Sequence, residues 1–132
     1  MTTALDTLFR ELIGGPHRAI LSTINADGRP QSSQIFVLDD GGTVLFSTIK
    51  GRLKTRNMQR DPRVSLLVVG VQDTRYVEIR GHVEIVDDPE NTLGHKIYAR
   101  YMGGAPHPAE PGAERLIVRI IPDKLTTFVP GK

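Results

Sequence analysis

The chain reads as a mainly β protein, a closed or nearly closed antiparallel β-barrel with three short helices. Five or six strand-like runs follow one another, joined by tight turns rich in Gly, Asp and Asn. Within them, Val77, Ile79, Gly81, Val83 and Ile85 alternate with Glu78, Arg80, His82 and Glu84, the period of a strand with one buried and one wet face. The alternation of strands with long helices that marks a parallel α/β sheet is missing. Closure is one way for a small sheet to hide its edges.

The elements follow in order. Residues 4–14 carry Leu5, Leu8, Phe9 and Leu12 at helical spacing, and Gly14-Gly15-Pro16 stops that helix. Residues 18–24 are strand-like, Asn25-Ala26-Asp27-Gly28 is a hairpin signal, and residues 31–38 form the return strand. Asp39-Asp40-Gly41-Gly42 is a second tight turn, leading to a strand over 43–49. A helix over about 52–60 follows, stopped by Pro62, and residues 63–70 form a fourth strand. Gly81 stands on the apolar face of the next strand, which predicts a bulge, a barrel corner or the close approach of another group. Asp88-Pro89-Glu90 opens a helix over about 89–102, with Asp87 and Asp88 as helix-start acids. Residues 103–113 are too rich in Gly and Pro for regular structure. A last strand covers 115–121 and 125–129, interrupted near Pro122.

The 132 residues suit one domain, 1–132, with no internal repeat. Cysteine is absent, so disulfides, thiolate chemistry and Cys-based metal sites are excluded; this is compatible with a reducing cytoplasm. The N-terminus has no signal-peptide pattern and no apolar run approaches about 20 residues, so a soluble, cytoplasmic protein with no membrane partner is expected. Lys and Arg number 17 against 15 Asp and Glu, a bias too small for a typical nucleic-acid-binding domain.

The positive charge is concentrated instead. Between Phe46 and Ser65 lie Lys50, Arg52, Lys54, Arg56, Arg60 and Arg63, with Asp61 as the lone acid. A strand that turns into a helix start, with hydroxyls and cations at the turn, is suited to cradle an anion, because free N–H groups and the helix dipole favour negative charge there. Ser47 and Thr48 end the strand and could donate to phosphate oxygens; Arg52 offers a planar fork and Lys54 a point charge. The competing reading is a solvated basic face on a surface helix.

Other chemistry is sparse. His17, His82, His95 and His107 form no metal-like spacing, so no metal is expected, and neither GxSxG nor a phosphate-binding glycine loop occurs. Tyr76, Tyr98 and Tyr101 could stack on a flat ring or donate a proton, but serve equally as core or interface aromatics. No residue is singled out as catalytic. A protein with a cradle and no acid–base constellation leaves the reaction to a cofactor.

The segments AILSTINADGRPQSSQIFV, VLFSTIKGRLKTRNMQRDPRVSLLV and YVEIRGHVEIV resemble the pyridoxamine-phosphate-oxidase-like, FMN-binding split β-barrel superfamily, over about residues 5–129. The run from Arg52 to Arg63 and the Asp27–Gln31 turn are most similar to the actinobacterial group that uses the deazaflavin coenzyme F420. The resemblance implies that Arg52 and Lys54 bind the cofactor phosphate. It implies that Ser47 and Thr48 contact the phosphate and ribityl chain, and that Gln31, Ser33 and Gln34 line the ring. Lys50 departs from the pattern, and its charge suits the acidic tail of the deazaflavin. The classical oxidases carry extra C-terminal sequence that closes over the pyridoxal ring, which is not found here. The resemblance also implies a homodimer with sites at the interface.

The function expected is thus that of a reductase passing hydride from reduced coenzyme F420 to an electrophilic conjugated small molecule, such as an enone, lactone, quinone-like ring or tetrapyrrole. The alternatives are an FMN-dependent oxidase or reductase, a non-enzymatic flavin or haem carrier, and a nucleic-acid-binding barrel. Low aromatic content (5%) weighs against the last.

Overall fold

The computed structural model describes residues 4–131, apart from residue 73. Helix α1 (Ala4–Gly14) leads into strands β1 (His17–Ile24), β2 (Pro30–Ile35), β3 (Leu38–Asp40) and β4 (Thr43–Ile49). Helix α2 (Leu53–Arg60), β5 (Arg63–Gly70), β6 (Tyr76–Asp87), helix α3 (Thr92–Tyr101) and β7 (Arg115–Phe128) complete the chain. The strands form one antiparallel sheet in the order β2-β1-β5-β6-β7-β4-β3.

The sequence-predicted strand over 31–38 is therefore two strands, β2 and β3, and they are the two edges of the sheet. Only Phe36 and Val37 separate them, a link that spans at most about 10 Å. The sheet must curl until the end of β2 comes near the start of β3, and because no ladder joins these two strands among the described residues, the barrel is split along this seam. The change of partner at this point is what periodicity could not show: β2 pairs with β1, whereas β3 pairs with β4. Asp39 and Asp40 belong to β3 rather than to the turn, which is made by Gly41 and Gly42, both at positive φ.

The interior is apolar. Phe46, Leu21, Leu66, Val68, Val77, Val118 and Ile120 are wholly buried, one face of each contributing strand. Phe9, Leu12 and Ile13 of α1 pack on this core; Leu5 lies outside the residues whose side chains are described. Helix α3 begins at Thr92, with Asp88 as its anchor: both carboxylate oxygens accept from the N–H groups of Thr92 and Leu93 at 2.9 Å. No described helix is long and apolar enough to cross a membrane.

Strand β7 is not interrupted at Pro122. It runs unbroken from Arg115 to Phe128 and absorbs the proline in a bulge, where Arg80 pairs with Lys124 and Gly81 with Pro122, leaving Asp123 over. A proline has no N–H to give the ladder, and a bulge is one place that tolerates the loss. Gly81 is the other half of this device. A Cβ there would overlap the carbonyl oxygen of Ile121, a backbone atom with little room to move.

Gly81→Ala is accordingly expected to destabilise the fold by about 1–3 kcal/mol. A urea unfolding midpoint equal to wild type would show that the β6–β7 corner has slack after all.

Candidate functional site

The site is built from the β4–α2 junction outward. Strand β4 alternates, so Ser47 faces outward while Thr48 faces the interior. After Ile49 the chain turns through Gly51 (φ 95°) into Arg52, the N-cap of α2, whose side chain makes no capping bond. The first turn of α2 contains no acid. It carries Lys54, close to the positive end of the helix dipole, where cations are disfavoured.

Buried bonds hold α2 in this place. Thr55 is fully buried; its hydroxyl lies 3.0 Å from that of Thr48 and donates to the Ile49 carbonyl at 2.9 Å. Asn57, 1% exposed, donates from its amide to Thr23 Oγ1 (3.1 Å) and Asn25 Oδ1 (2.8 Å) and accepts from Arg60 (3.1 Å). Arg60 also donates to the Ile24 carbonyl.

A cavity of about 260 Å³ opens beside this junction. Gln34, Ile35 and Phe36 form one wall and Ser47, Arg52 and Lys54 another; Tyr98, Tyr101 and neighbours on α3, with Met102, His107 and Arg115, close the third. Burial, then the charges of Arg52 and Arg115, lower the Lys54 pKa below the ordinary lysine value. Among the described residues neither Arg52 nor Lys54 pairs with a carboxylate. On the opposite wall the rings of Phe36 and Tyr101 stack at 4.8 Å, and the Tyr101 hydroxyl donates to the Val37 carbonyl at 2.6 Å. Burial raises the Tyr101 pKa, so the phenol stays protonated.

Of the residues singled out from sequence, Gln34, Ser47, Arg52 and Lys54 meet at this cavity. Four others do not. Thr48 is 1% exposed and occupied with Thr55. Lys50 lies 3.6 Å from Glu114 and lines a different cavity with Met58 and Val83. Gln31 and Ser33 alternate with Gln34 on β2 and face the other way. Gln31 accepts from Thr23 at 2.9 Å, while the buried Ser33 hydroxyl has no partner among the described residues. Arg115, His107 and the α3 tyrosines complete the cavity. The tyrosines carried a stacking signal in the sequence; Arg115 carried none, because only the β4–β7 register brings it opposite Ile49. Among the described residues no cluster of His, Cys, Asp or Glu could hold a metal ion.

Comparison with known proteins is consistent with this architecture. The family model described as pyridoxamine 5'-phosphate oxidase matches residues 5–127. The chain belongs to that family. A pyridoxine/pyridoxamine 5'-phosphate oxidase of Cupriavidus necator is 35% identical over 78 residues, which are 58% of this chain and 36% of the relative. The chain thus spans well under half the length of the curated relatives it matches. Among solved structures, an F420 reductase superposes with a TM-score of 0.82 at 30% identity, over 96% of this chain and 98% of that one. A conserved hypothetical protein of Mycobacterium tuberculosis superposes with a TM-score of 0.74 at 25% identity, over 97% and 85%.

Asn57→Ala is expected to cost about 2 kcal/mol of stability, since it strands the polar groups of Thr23, Asn25 and Arg60. Denaturant unfolding checks this, and a loss below about 0.5 kcal/mol would mean that α2 is held by other contacts.

Proposed function

We propose that this chain is a reductase that binds coenzyme F420, holding the cofactor phosphate in the cavity at the β4–α2 junction. The observation that carries the reading is the pair of cations without acidic partners, Arg52 and Lys54, at the N-terminal turn of α2. A half-buried lysine whose charge is opposed by burial and by two arginines is held at some cost. A bound anion relieves that repulsion and accepts from the free N–H groups of the helix start. The likeness to an F420 reductase along nearly the full length of both chains supports the deazaflavin as the cofactor.

When bound, reduced coenzyme F420 supplies a hydride to an electrophilic carbon of a conjugated acceptor. The chain's own part is binding and orientation. Arg52 and Lys54 neutralise the phosphate, Ser47 donates to its oxygens, and Gln34 offers an amide to the ring edge. Lys50 lies outside this cavity, in an exposed pair with Glu114, and takes no part in holding the phosphate. The cavity lies just below the usual volume range of small-molecule sites, so it suits a phosphate and its attached chain, with the ring lying beyond it. Phe36 and Met102, both 44% exposed, are apolar groups at its rim. A second copy of the chain covering that rim would complete the site, which is the reason to propose a homodimer.

FMN is the second reading, favoured by the curated relatives, which are pyridoxine/pyridoxamine 5'-phosphate oxidases. Titration of the purified protein with coenzyme F420 and with FMN separates the two. Lys54→Ala is expected to weaken the preferred ligand by about 10- to 100-fold, the loss of a charge-assisted contact of about 1.5–3 kcal/mol. Unchanged affinity would remove the cradle.

The affinity should also depend on pH. Lys54 loses its proton below the usual lysine range while Arg52 and Arg115 stay charged, so binding should weaken as pH rises through that lowered value. This alkaline limb should vanish in Lys54→Met; its persistence there would assign it to another group.

A further inference from the structure

Arg115 begins β7, opposite Ile49 of β4, and lines the cavity. Its side chain is 13% exposed, so its charge is only lightly screened. Two of its nitrogens are already taken: Nε donates to Glu110 Oε1 at 2.9 Å and Nη2 to Glu110 Oε2 at 2.8 Å, a bidentate fork. The remaining nitrogen, Nη1, is directed at Ser47 Oγ, 3.4 Å away, on the wall that carries Arg52 and Lys54.

Glu110 is held in position for this by its own loop. Gly112 has φ 79°, and the Ala113 N–H donates to the Glu110 carbonyl at 3.0 Å, closing a Pro-Gly turn of type II character that folds Glu110 back onto Arg115. His107, earlier in the loop, packs its ring on Tyr98 at 5.0 Å and brings Nε2 to 3.4 Å from Arg115 Nη2. The loop over residues 102–114 therefore grips the outer edge of the Arg115 guanidinium and leaves its inner edge facing the cavity. Three cations and one carboxylate then surround the cavity, an excess of positive charge suited to a phosphate. The charge of Arg115 reaches Lys54, whose pKa it helps to lower.

We propose that Arg115 is a third ligand of the cofactor phosphate and that Glu110 is its positioning residue, fixing the guanidinium so that Nη1 and Ser47 Oγ meet the same anion. This rests on the reading of the cavity as a phosphate site. It gives the Gly- and Pro-rich loop a task, which is to aim a side chain that a lone strand end would leave free to rotate.

The test uses the full chain and whichever of coenzyme F420 and FMN binds the wild type, each titrated beside its counterpart lacking the phosphate group (for FMN, riboflavin). Arg115→Ala is expected to weaken the phosphorylated ligand about 10-fold and to leave the phosphate-free counterpart within about 2-fold. Glu110→Gln should weaken the phosphorylated ligand by a smaller factor, about 3-fold, and should add nothing in the Arg115→Ala background; an added loss there would assign its effect to His107, whose Nε2 lies 3.9 Å from Glu110 Oε1, and would overturn its role as the positioning residue. Arg115→Lys, which keeps the charge without the fork, should fall between. Thermal unfolding of each variant identifies any that lose the fold, and Arg115→Lys then stands in for Arg115→Ala.

Equal losses for both ligand forms would make Arg115 a structural residue and overturn the proposal. Tighter binding in Glu110→Gln would overturn it too, by making Glu110 a competitor of the phosphate. If Lys54→Ala weakens the ligand while the Arg115 variants do not, the cradle stands and this inference falls. If neither cofactor binds, or none of these variants changes affinity, the phosphate reading fails and the inference with it.

Discussion

The buried pair of hydroxyls at Thr48 and Thr55 is the contact on which the site depends. It joins the interior face of β4 to the first turn of α2 across a sharp reversal at Gly51. With the Asn57 bonds to Thr23 and Asn25, it fixes both the place and the rotation of a helix of only eight residues. So short a helix has little stability of its own. Its docking is what gives Lys54 and Arg52 a defined direction, and the cavity exists only on the side to which they are turned.

The charge arrangement follows from that docking. Cations in the first turn of a helix oppose its dipole, and two arginines beside a half-buried lysine repel it. The start of α3 is compensated, with Asp88 as its anchor, and the Arg63–Asp61 pair holds the Asp61 carboxyl down to about 2. An uncompensated helix start at α2, beside a compensated one at α3, suits a place where an external anion completes the balance.

The fold was legible because its signals are local. The alternation over Val77–Ile85, the two-glycine turn at Gly41-Gly42 and the glycine at position 81 each specify their own geometry. What stayed hidden was partnership between distant segments. The split of residues 31–38 into two edge strands depends on which neighbours they meet, and Arg115 reaches the cavity only through its register with β4. Within the basic run, spacing could not separate tasks. Thr55 and Asn57 hold the helix, Arg60 and Arg63 serve the surrounding backbone and Asp61, and Arg52 and Lys54 alone face the cavity. Thr48 and Lys50 show the same limit: one residue of strand parity separates Ser47 at the cavity from Thr48 in the core.

The two edge strands carry a consequence for how copies of this molecule meet. β3 is three residues long, and its aspartates are engaged sideways, Asp39 by Arg10 at 3.3 Å and Asp40 by Arg119 at 2.7 Å. β2 begins at a proline and continues with glutamines and serines. Both edges are poor templates for a further strand. Growth by strand addition, the route to open-ended aggregates, is thereby discouraged at both ends of the sheet. A second copy would therefore meet the outer faces of the barrel, where side chains and not open backbone decide the partner.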